Sequence, residues 1–321
     1  MIYYIRDENF ENGDIIIMKN IAIIDIGSNS IRLDVVQIKD ADNDYEYLER
    51  VRFLTRLSEG MGEDMRLQPL PMERTLETLI EYKKIIDKYE VTEIFAVATA
   101  AVRLAQNGDD FCTKIMDECG IPVEVISGER EAEYAFEAAI SSVDIEDFIV
   151  VDTGGGSTEF ILVSANEALA RVSLPLGAVN LTDSFFSYGE NADSVAAARD
   201  FVASQIDKIK WLDDDTYGLP VVGLGGSIYS LGIVDKSLSG SSEDLNGYTI
   251  PAQTAINVSQ YIVNMSDDER ESEGVEPGRL DTVVCGQLPV CELMKKISSD
   301  ELIISTASIR EGMLLEILNN I

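Results

Sequence analysis

Asp25-Ile26-Gly27-Ser28-Asn29-Ser30-Ile31-Arg32 and Asp152-Thr153-Gly154-Gly155-Gly156-Ser157-Thr158-Glu159 are the two stretches that decide how this 321-residue chain is read. Each follows an apolar run, Ile21-Ala22-Ile23-Ile24 in the first case and Phe148-Ile149-Val150-Val151 in the second. Short apolar runs bounded by turn residues read as buried strands. The register between the two stretches is kept. Asp ends the strand, Gly follows two residues on, Ser five on, and Arg32 or Glu159 seven on. Beyond the first turn Ile31, Leu33 and Val35 alternate with polar neighbours, and Thr158 to Val163 returns in the same way. Two strand–turn–strand openings 127 residues apart predict a duplicated fold with one phosphate-facing hairpin in each half.

A third glycine turn, Gly223-Leu224-Gly225-Gly226-Ser227, closes the strand Pro220 to Leu224. Glycine lets the backbone turn sharply and bring its N–H groups close to a phosphate. A helix opening after Gly226 adds partial positive charge at the same place. One such turn alone is an ordinary hairpin, but three together, two opened by Asp in matching register, point to phosphate binding. Around them the pattern gives a strand over Tyr45–Phe53 and a helix from Pro71 to about Tyr89, with Leu76, Leu79, Ile80 and Ile86 on one face. A strand at Glu93–Ala98, a helix at Asp109–Glu118, a strand at Pro122–Ile126 and a helix from about Gly128 to Ser142 follow. After the second hairpin come helices at Gly177–Ser187, Asn191–Leu212, Pro251–Met265 and Leu280–Ile297, a short strand at Leu302–Ile304 and a final helix from Ser308. This alternation predicts α/β layers in two lobes, residues 18–127 and 128–306, with 307–321 packing back on the first lobe. Residues 1–17 read as an N-terminal extension, either an extended start site, because Met18-Lys19-Asn20 before the first strand resembles a natural start, or an ordered accessory strand, because Asp14 to Met18 is apolar enough.

Composition removes whole classes of function. Against 58 Asp and Glu stand 25 Lys and Arg, a net charge of −33. A surface that acidic repels nucleic acid and anionic membranes. No apolar run reaches the ~20 residues of a membrane span, and the N-terminus lacks the basic and then apolar stretches of a signal peptide. The expected location is the cytoplasm, with no nucleic-acid or membrane partner. Histidine is absent, which excludes a Ser-His-Asp triad, a histidine base and any His-ligated metal. Acid–base chemistry must run on carboxylates, and a metal must be a hard cation held by oxygen. Cys112, Cys119, Cys285 and Cys291 lack zinc-site spacing and read as buried small apolar residues.

The three turns resemble the phosphate-1, phosphate-2 and adenosine motifs of the superfamily that holds actin, heat-shock chaperones, sugar kinases and acetate kinase. Within it the chain resembles the exopolyphosphatase / guanosine-pentaphosphate phosphohydrolase family. The segments that carry the likeness are Asp25–Leu33, Arg56-Leu-Ser-Glu-Gly-Met61, Ala98-Thr-Ala-Ala-Val-Arg103, Val125-Ile-Ser-Gly-Glu-Arg-Glu-Ala132, Asp152–Glu159, Pro175-Leu-Gly-Ala-Val179 and Ile309-Arg-Glu-Gly-Met313. The resemblance implies two related actin-like (ribonuclease-H-like) lobes with a cleft between them. It implies Mg²⁺, or another divalent cation, as cofactor, and polyphosphate or guanosine pentaphosphate as substrate. It also allows a homodimer, which no residue pattern shows.

Residue roles follow from the resemblance together with the chemistry of each side chain. Glu131 is the general base, with Glu129 the alternative if the register slips. Glu133 is expected to turn to another face of the helix, away from the chemistry. Asp25, Asp152 and Glu159 are the candidate metal ligands. Arg32 and Arg103 are candidate phosphate clamps, since a planar guanidinium binds oxygens bidentately. Ser28, Asn29, Ser30, Gly154, Gly155, Gly156, Ser157, Gly225, Gly226 and Ser227 supply further phosphate contacts. Some family members carry a C-terminal helical domain with a His-Asp motif. This histidine-free chain ends one helix after Arg310-Glu311-Gly312, so the short form is expected. The reaction implied is hydrolysis of a terminal phosphoanhydride, and the acidic charge argues for short polyphosphate chains. Guanosine pentaphosphate hydrolysis and a non-catalytic alarmone or nucleotide sensor are the alternatives.

Overall fold

Ile21, Ala22, Ile23, Ile24 and Ile26 are all fully buried, as expected of a strand covered on both faces. They form the middle of a sheet, and Ile149, Val150 and Val151 hold the same place in a second one. The structure, a computed structural model, describes residues 3–6, 15–39, 44–62 and 64–320. It divides into two units, Met1–Ile126 with Met313–Ile321 and Ser127–Gly312. Of the predicted extension, residues 1–2 and 7–14 lie outside the described residues.

In the first unit the strands are β1 (Tyr3–Arg6), β2 (Ile15–Ile26), β3 (Ser30–Lys39), β4 (Asp44–Leu54), β5 (Glu93–Ala98) and β6 (Val123–Val125). Helices α1 (Pro69–Lys88), α2 (Ala100–Leu104) and α3 (Gly108–Cys119) connect them. The second unit holds α4 (Gly128–Ile140), β7 (Phe148–Thr153), β8 (Thr158–Ser164), β9 (Glu167–Leu174), α5 (Ala178–Phe185), α6 (Ala192–Ile206) and β10 (Val221–Leu224). It continues with α7 (Gly226–Ser239), β11 (Thr249–Pro251), α8 (Ala252–Asn264), α9 (Asp267–Ser272), α10 (Val283–Ile297) and β12 (Glu301–Ile304). Helix α11 (Ile309–Asn319) closes the chain across the boundary between units.

Strand order is β4-β3-β2-β5-β6 in the first sheet, with β1 beside β2, and β9-β8-β7-β10-β12-β11 in the second. Each is an antiparallel three-strand meander followed by two strands parallel to its first member. The duplication extends to an irregularity. Pairing of the second and third meander strands slips between Val35 and Val36 in one unit and between Leu162 and Val163 in the other. Both slips fall ten residues after the strand-ending aspartate, so the bulge is part of the repeated design.

Strand β9 was not expected from the sequence. Its Glu167, Ala168 and Ala170 have low β-propensity, and alternate residues face solvent at the sheet edge, so no apolar run marks it. A second departure is in α1. Ile80, expected on the apolar face, is exposed, while Thr75, Leu79, Tyr82 and Ile86 face the core. Ile80 follows Leu79 by 100° of helical turn, and the 3.6-residue period selects Tyr82 instead. The helix starts at Pro69, with Pro71 in its first turn, where a missing N–H costs nothing.

One core lies between α1, α3 and the first sheet, and a larger one between the second sheet and α5, α6, α7, α8 and α10. Each fully buried Leu, Ile, Val or Phe in them contributes about 1.5–3 kcal/mol. Every residue of α10 from Val283 to Met294 is buried, and burial pushes the thiols of Cys285 and Cys291 up to about 12 and about 11. Gly286 lets α10 lie against Ser227 and Ala178, which fixes the starts of α7 and α5.

Candidate active site

In the first unit β2, β5 and β6 end abreast, because Ile26 pairs with Ala98 and Ala98 with Val125. Ligands of open α/β sheets bind beyond such carboxyl ends. Three predicted segments meet there: Gly27–Ser30, Thr99–Arg103 and Ile126. The first turn is closed by Gly27 N–H donating to Ser30 O at 3.1 Å, and a Cβ on Gly27 would stand 2.9 Å from that oxygen. Asp25, the last residue but one of β2, lies directly across from Arg32 on β3. Ser28 and Asn29 are buried, and their carbonyls accept from Ser58 N–H at 3.0 Å and Arg56 N–H at 2.9 Å. The Arg56–Met61 segment thus braces the turn from behind. Arg103, on α2, donates from Nη1 to Ile126 O at 2.9 Å.

The second unit repeats the arrangement. Asp152 pairs with Leu224, and Gly223 with Ile304, so β7, β10 and β12 also end together. Gly154 N–H donates to Ser157 O at 2.9 Å, the counterpart of the Gly27–Ser30 bond. The brace here is the Pro175–Val179 segment. Ala178 N–H donates to Gly154 O and Val179 N–H to Gly155 O, each at 2.9 Å, and Asn180 Nδ2 donates to Gly156 O at 2.7 Å. Gly225, with φ +101°, seats the third turn against Thr153 O, where any Cβ would overlap that carbonyl. The buried hydroxyls of Ser28 and Thr153 find no hydrogen-bond partner among the described residues. Orphaned donors on glycine turns suit a ligand rich in acceptor oxygens.

Carboxylates crowd the other side of the second turn. Glu159 lies across β8 from Asp152 and is 1% exposed. Burial first, then the charges of Glu131 and Asp152, hold its carboxyl well above the usual range. Ser173 Oγ donates to Glu159 Oε1 at 2.7 Å and opposes that shift. The Ser157 hydroxyl also bears on the carboxylate, at a geometry short of a full hydrogen bond. Glu131 reaches this centre from the first turn of α4, whose Ser127 cap accepts from Arg130 N–H. Glu131 is 7% exposed, whereas Glu129 faces solvent. Among the described residues no three His, Cys, Asp or Glu side chains stand close enough to hold a metal unaided. The all-oxygen donor set and the mutual repulsion at Glu159 fit a hard divalent cation that shares its coordination with phosphate oxygens.

Over residues 35–321 the sequence matches the Ppx/GppA phosphatase family. The chain belongs to that family. The two-sheet α/β architecture is that of the Ppx/GppA proteins, and the enzyme is a phosphoanhydride hydrolase. A crystal structure of the Aquifex aeolicus Ppx/GppA family member superimposes with a TM-score of 0.76 at 31% identity, covering 94% of this chain and 99% of that one. Exopolyphosphatase 2 of Mycobacterium tuberculosis is 28% identical over 316 residues, 94% of this chain and 99% of that protein. A bifunctional 3-dehydroquinate synthase/phosphatase of Fusobacterium nucleatum is 31% identical over 317 residues. The match takes in 93% of this chain but only 46% of the Fusobacterium protein.

The site residues expected from the sequence fall into two sets. Asp25, Ser28, Asn29, Ser30, Arg32 and Arg103 lie in the first unit, and Glu131, Asp152, Gly154–Ser157, Glu159 and Gly225–Ser227 in the second. Reading the sequence missed Arg279. Its guanidinium, only 8% exposed, covers Gly226 at the start of α7, where a Cβ would collide with it. Nε donates to Glu276 Oε2 at 3.1 Å. No motif surrounds Arg279, and a 3-10 turn rather than a strand end delivers it. Only the third dimension could reveal it.

Proposed function

We propose that this Ppx/GppA protein is a cytoplasmic, Mg²⁺-dependent exopolyphosphatase that removes the terminal phosphate of inorganic polyphosphate and favours short chains. The observation that carries this reading is Glu131, buried at the head of α4, where its charge and that of Asp152 both bear on Glu159. In a chain without histidine, a carboxylate is the available proton acceptor. Glu131 accepts the proton of a water that attacks the terminal phosphorus in line. The bond from phosphorus to the bridging oxygen breaks, and the shortened chain leaves with that oxygen. Turn N–H groups of the second unit and the Arg279 guanidinium offset the charge on the transferred group, and Arg32 and Arg103 are the phosphate clamps of the first unit. Asp152 and Glu159 are the carboxylates that would hold Mg²⁺, with Asp25 their counterpart in the other hairpin. Mg²⁺ bound there neutralises charge on the phosphate oxygens. The likeness to an exopolyphosphatase supports the substrate, and the net charge of −33 supports short chains.

The test is phosphate release from polyphosphates of graded length and from guanosine pentaphosphate, with Mg²⁺ and with EDTA. The expected kcat/KM is highest on short polyphosphate and is abolished by EDTA. A higher value on guanosine pentaphosphate overturns the substrate, and nucleotide binding without turnover makes the protein a sensor. Glu131→Gln should lower kcat by about 10²–10⁴-fold with little change in KM. Glu129→Gln should stay near wild type, and the opposite pattern moves the base to Glu129.

A further inference from the structure

Glu133 is not the bystander that its place on the helix suggested. Its carboxylate accepts from Arg130 Nη1 at 2.8 Å and, across to β9, from Arg171 Nη2 at 2.6 Å. Arg130 also lies over the Tyr134 ring, 4.4 Å from its centroid. Arg171 and Ser173 are alternate residues of β9 and so share a face of the sheet. Ser173 holds Glu159, and Arg171 holds Glu133. One edge strand therefore grips both partners of the carboxylate centre, Glu159 directly and Glu131 through the residue two positions along α4.

That grip works against a real force. Glu131 carries the same charge as Glu159 and Asp152, and both raise the carboxyl of Glu159. Where these carboxylates are ionised, their repulsion opposes the seating of the first turn of α4 on the second sheet. A helix start is the part of the helix least held by its own hydrogen bonds. The Glu133–Arg171 pair, two residues further along the helix, pulls α4 back toward β9. The Tyr134 carbonyl is packed so closely on Gly312 that no Cβ would fit there.

We propose that Glu133 and Arg171 are positioning residues, whose ion pair holds α4 on β9 and so sets the place of Glu131 against Glu159. This rests on Glu131 being the base. Each side chain is about one-third exposed, 35% for Glu133 and 38% for Arg171. Such pairs contribute little to global stability, so the signature is lost turnover without lost stability. A misplacement of about 1 Å can cost about 10²-fold in rate. Arg171→Ala and Glu133→Gln should each lower kcat by about 10- to 10²-fold on short polyphosphate, leave KM within about twofold, and move Tm by no more than about 4 °C.

The double variant should be no slower than the worse single one, because the two residues act as a unit. Arg171→Lys keeps the charge and should recover most of the rate. Wild-type kcat in both single variants, with Glu131→Gln inactive, overturns the proposal and leaves the catalytic reading standing. Wild-type kcat in Glu131→Gln overturns the reading itself. A KM that rises with chain length at unchanged kcat makes Arg171 a substrate contact and also overturns the proposal. If Arg171→Ala loses stability, Glu133→Gln, nearly the same size as the native residue, decides the matter.

Discussion

Gly177→Ala isolates the role of the brace behind the second turn. Gly177 caps α5 with φ −73° and ψ 154°, a conformation alanine adopts without strain. The whole effect must come from the added Cβ, which would overlap the backbone of Gly155 and Gly156. Ordinary carbon–oxygen contacts stand about 3.3–3.6 Å apart, so relief takes a shift of about 1 Å. Neither side can give cheaply. One is the turn itself, and the other is a helix start whose Ala178 and Val179 are buried and hydrogen-bonded to that turn. Overpacking of this kind costs about 1–3 kcal/mol, or roughly 2–12 °C in Tm for a unit of this size. A turn moved by about 1 Å should lose about 10²-fold in kcat/KM. The assays are calorimetric Tm and initial rates of phosphate release from short polyphosphate with Mg²⁺. Gly120→Ala is the control, because Gly120 has φ +66° and nothing within 4 Å of the added Cβ. It should cost about 1–2 kcal/mol from backbone strain and leave kcat/KM unchanged. Gly177→Ala within twofold of wild type, or Gly120→Ala equally inactive, would refute the reasoning.

The raised carboxyl of Glu159 gives a pH prediction. Above the ordinary glutamate value of 4.5 the unfolded chain ionises before the folded one, so stability present below 4.5 is lost as pH climbs toward the folded value. Glu159→Gln in metal-free buffer should therefore match wild-type Tm below pH 4.5 and exceed it increasingly above, at the expense of activity. A Tm difference that does not vary with pH contradicts this. Gly226→Ala should displace the Arg279 guanidinium, a flexible group, and so raise KM more than it lowers Tm, as thermal melts beside kinetics would reveal. Arg103→Ala should weaken both substrate binding and turnover, and a variant with unchanged KM removes Arg103 from the phosphate contacts.

The hairpins were legible because each combines a fully buried strand, an Asp at its end and a glycine that a Cβ would crowd. Those are strong local signals, and they recur in register. Only the resemblance singles out Glu131 in the sequence, since three alternating glutamates at a helix start look alike. Burial separates Glu131 from Glu129, and the contact with Arg171 separates it from Glu133. Strand β9 carried no local signal, because an edge strand with one solvated face needs no apolar run. The duplication could have found it, since β4 in the first half demands a counterpart after β8. Ile80 was misplaced because adjacent apolar residues on a helix cannot both face one core. Arg279 lay beyond reach, being brought to Gly226 by α7 and the 3-10 turn before α10.

Arg279 stands over the opening turn of α7, so a guanidinium and the positive end of a helix meet at Gly226 with Glu276 as the nearby counter-charge. A cation in that place is disfavoured by about 0.3–1 kcal/mol, and an anion there is favoured by as much. A phosphate bound there, as the proposed function requires, would relieve that opposition as well as make contacts of its own. Ligand and folding equilibria are then linked: a phosphate ligand at a hundred times its Kd adds about 2.7 kcal/mol to stability. Product orthophosphate would act as a structural ion, and the melting temperature in graded phosphate becomes a gauge of how full the turn is.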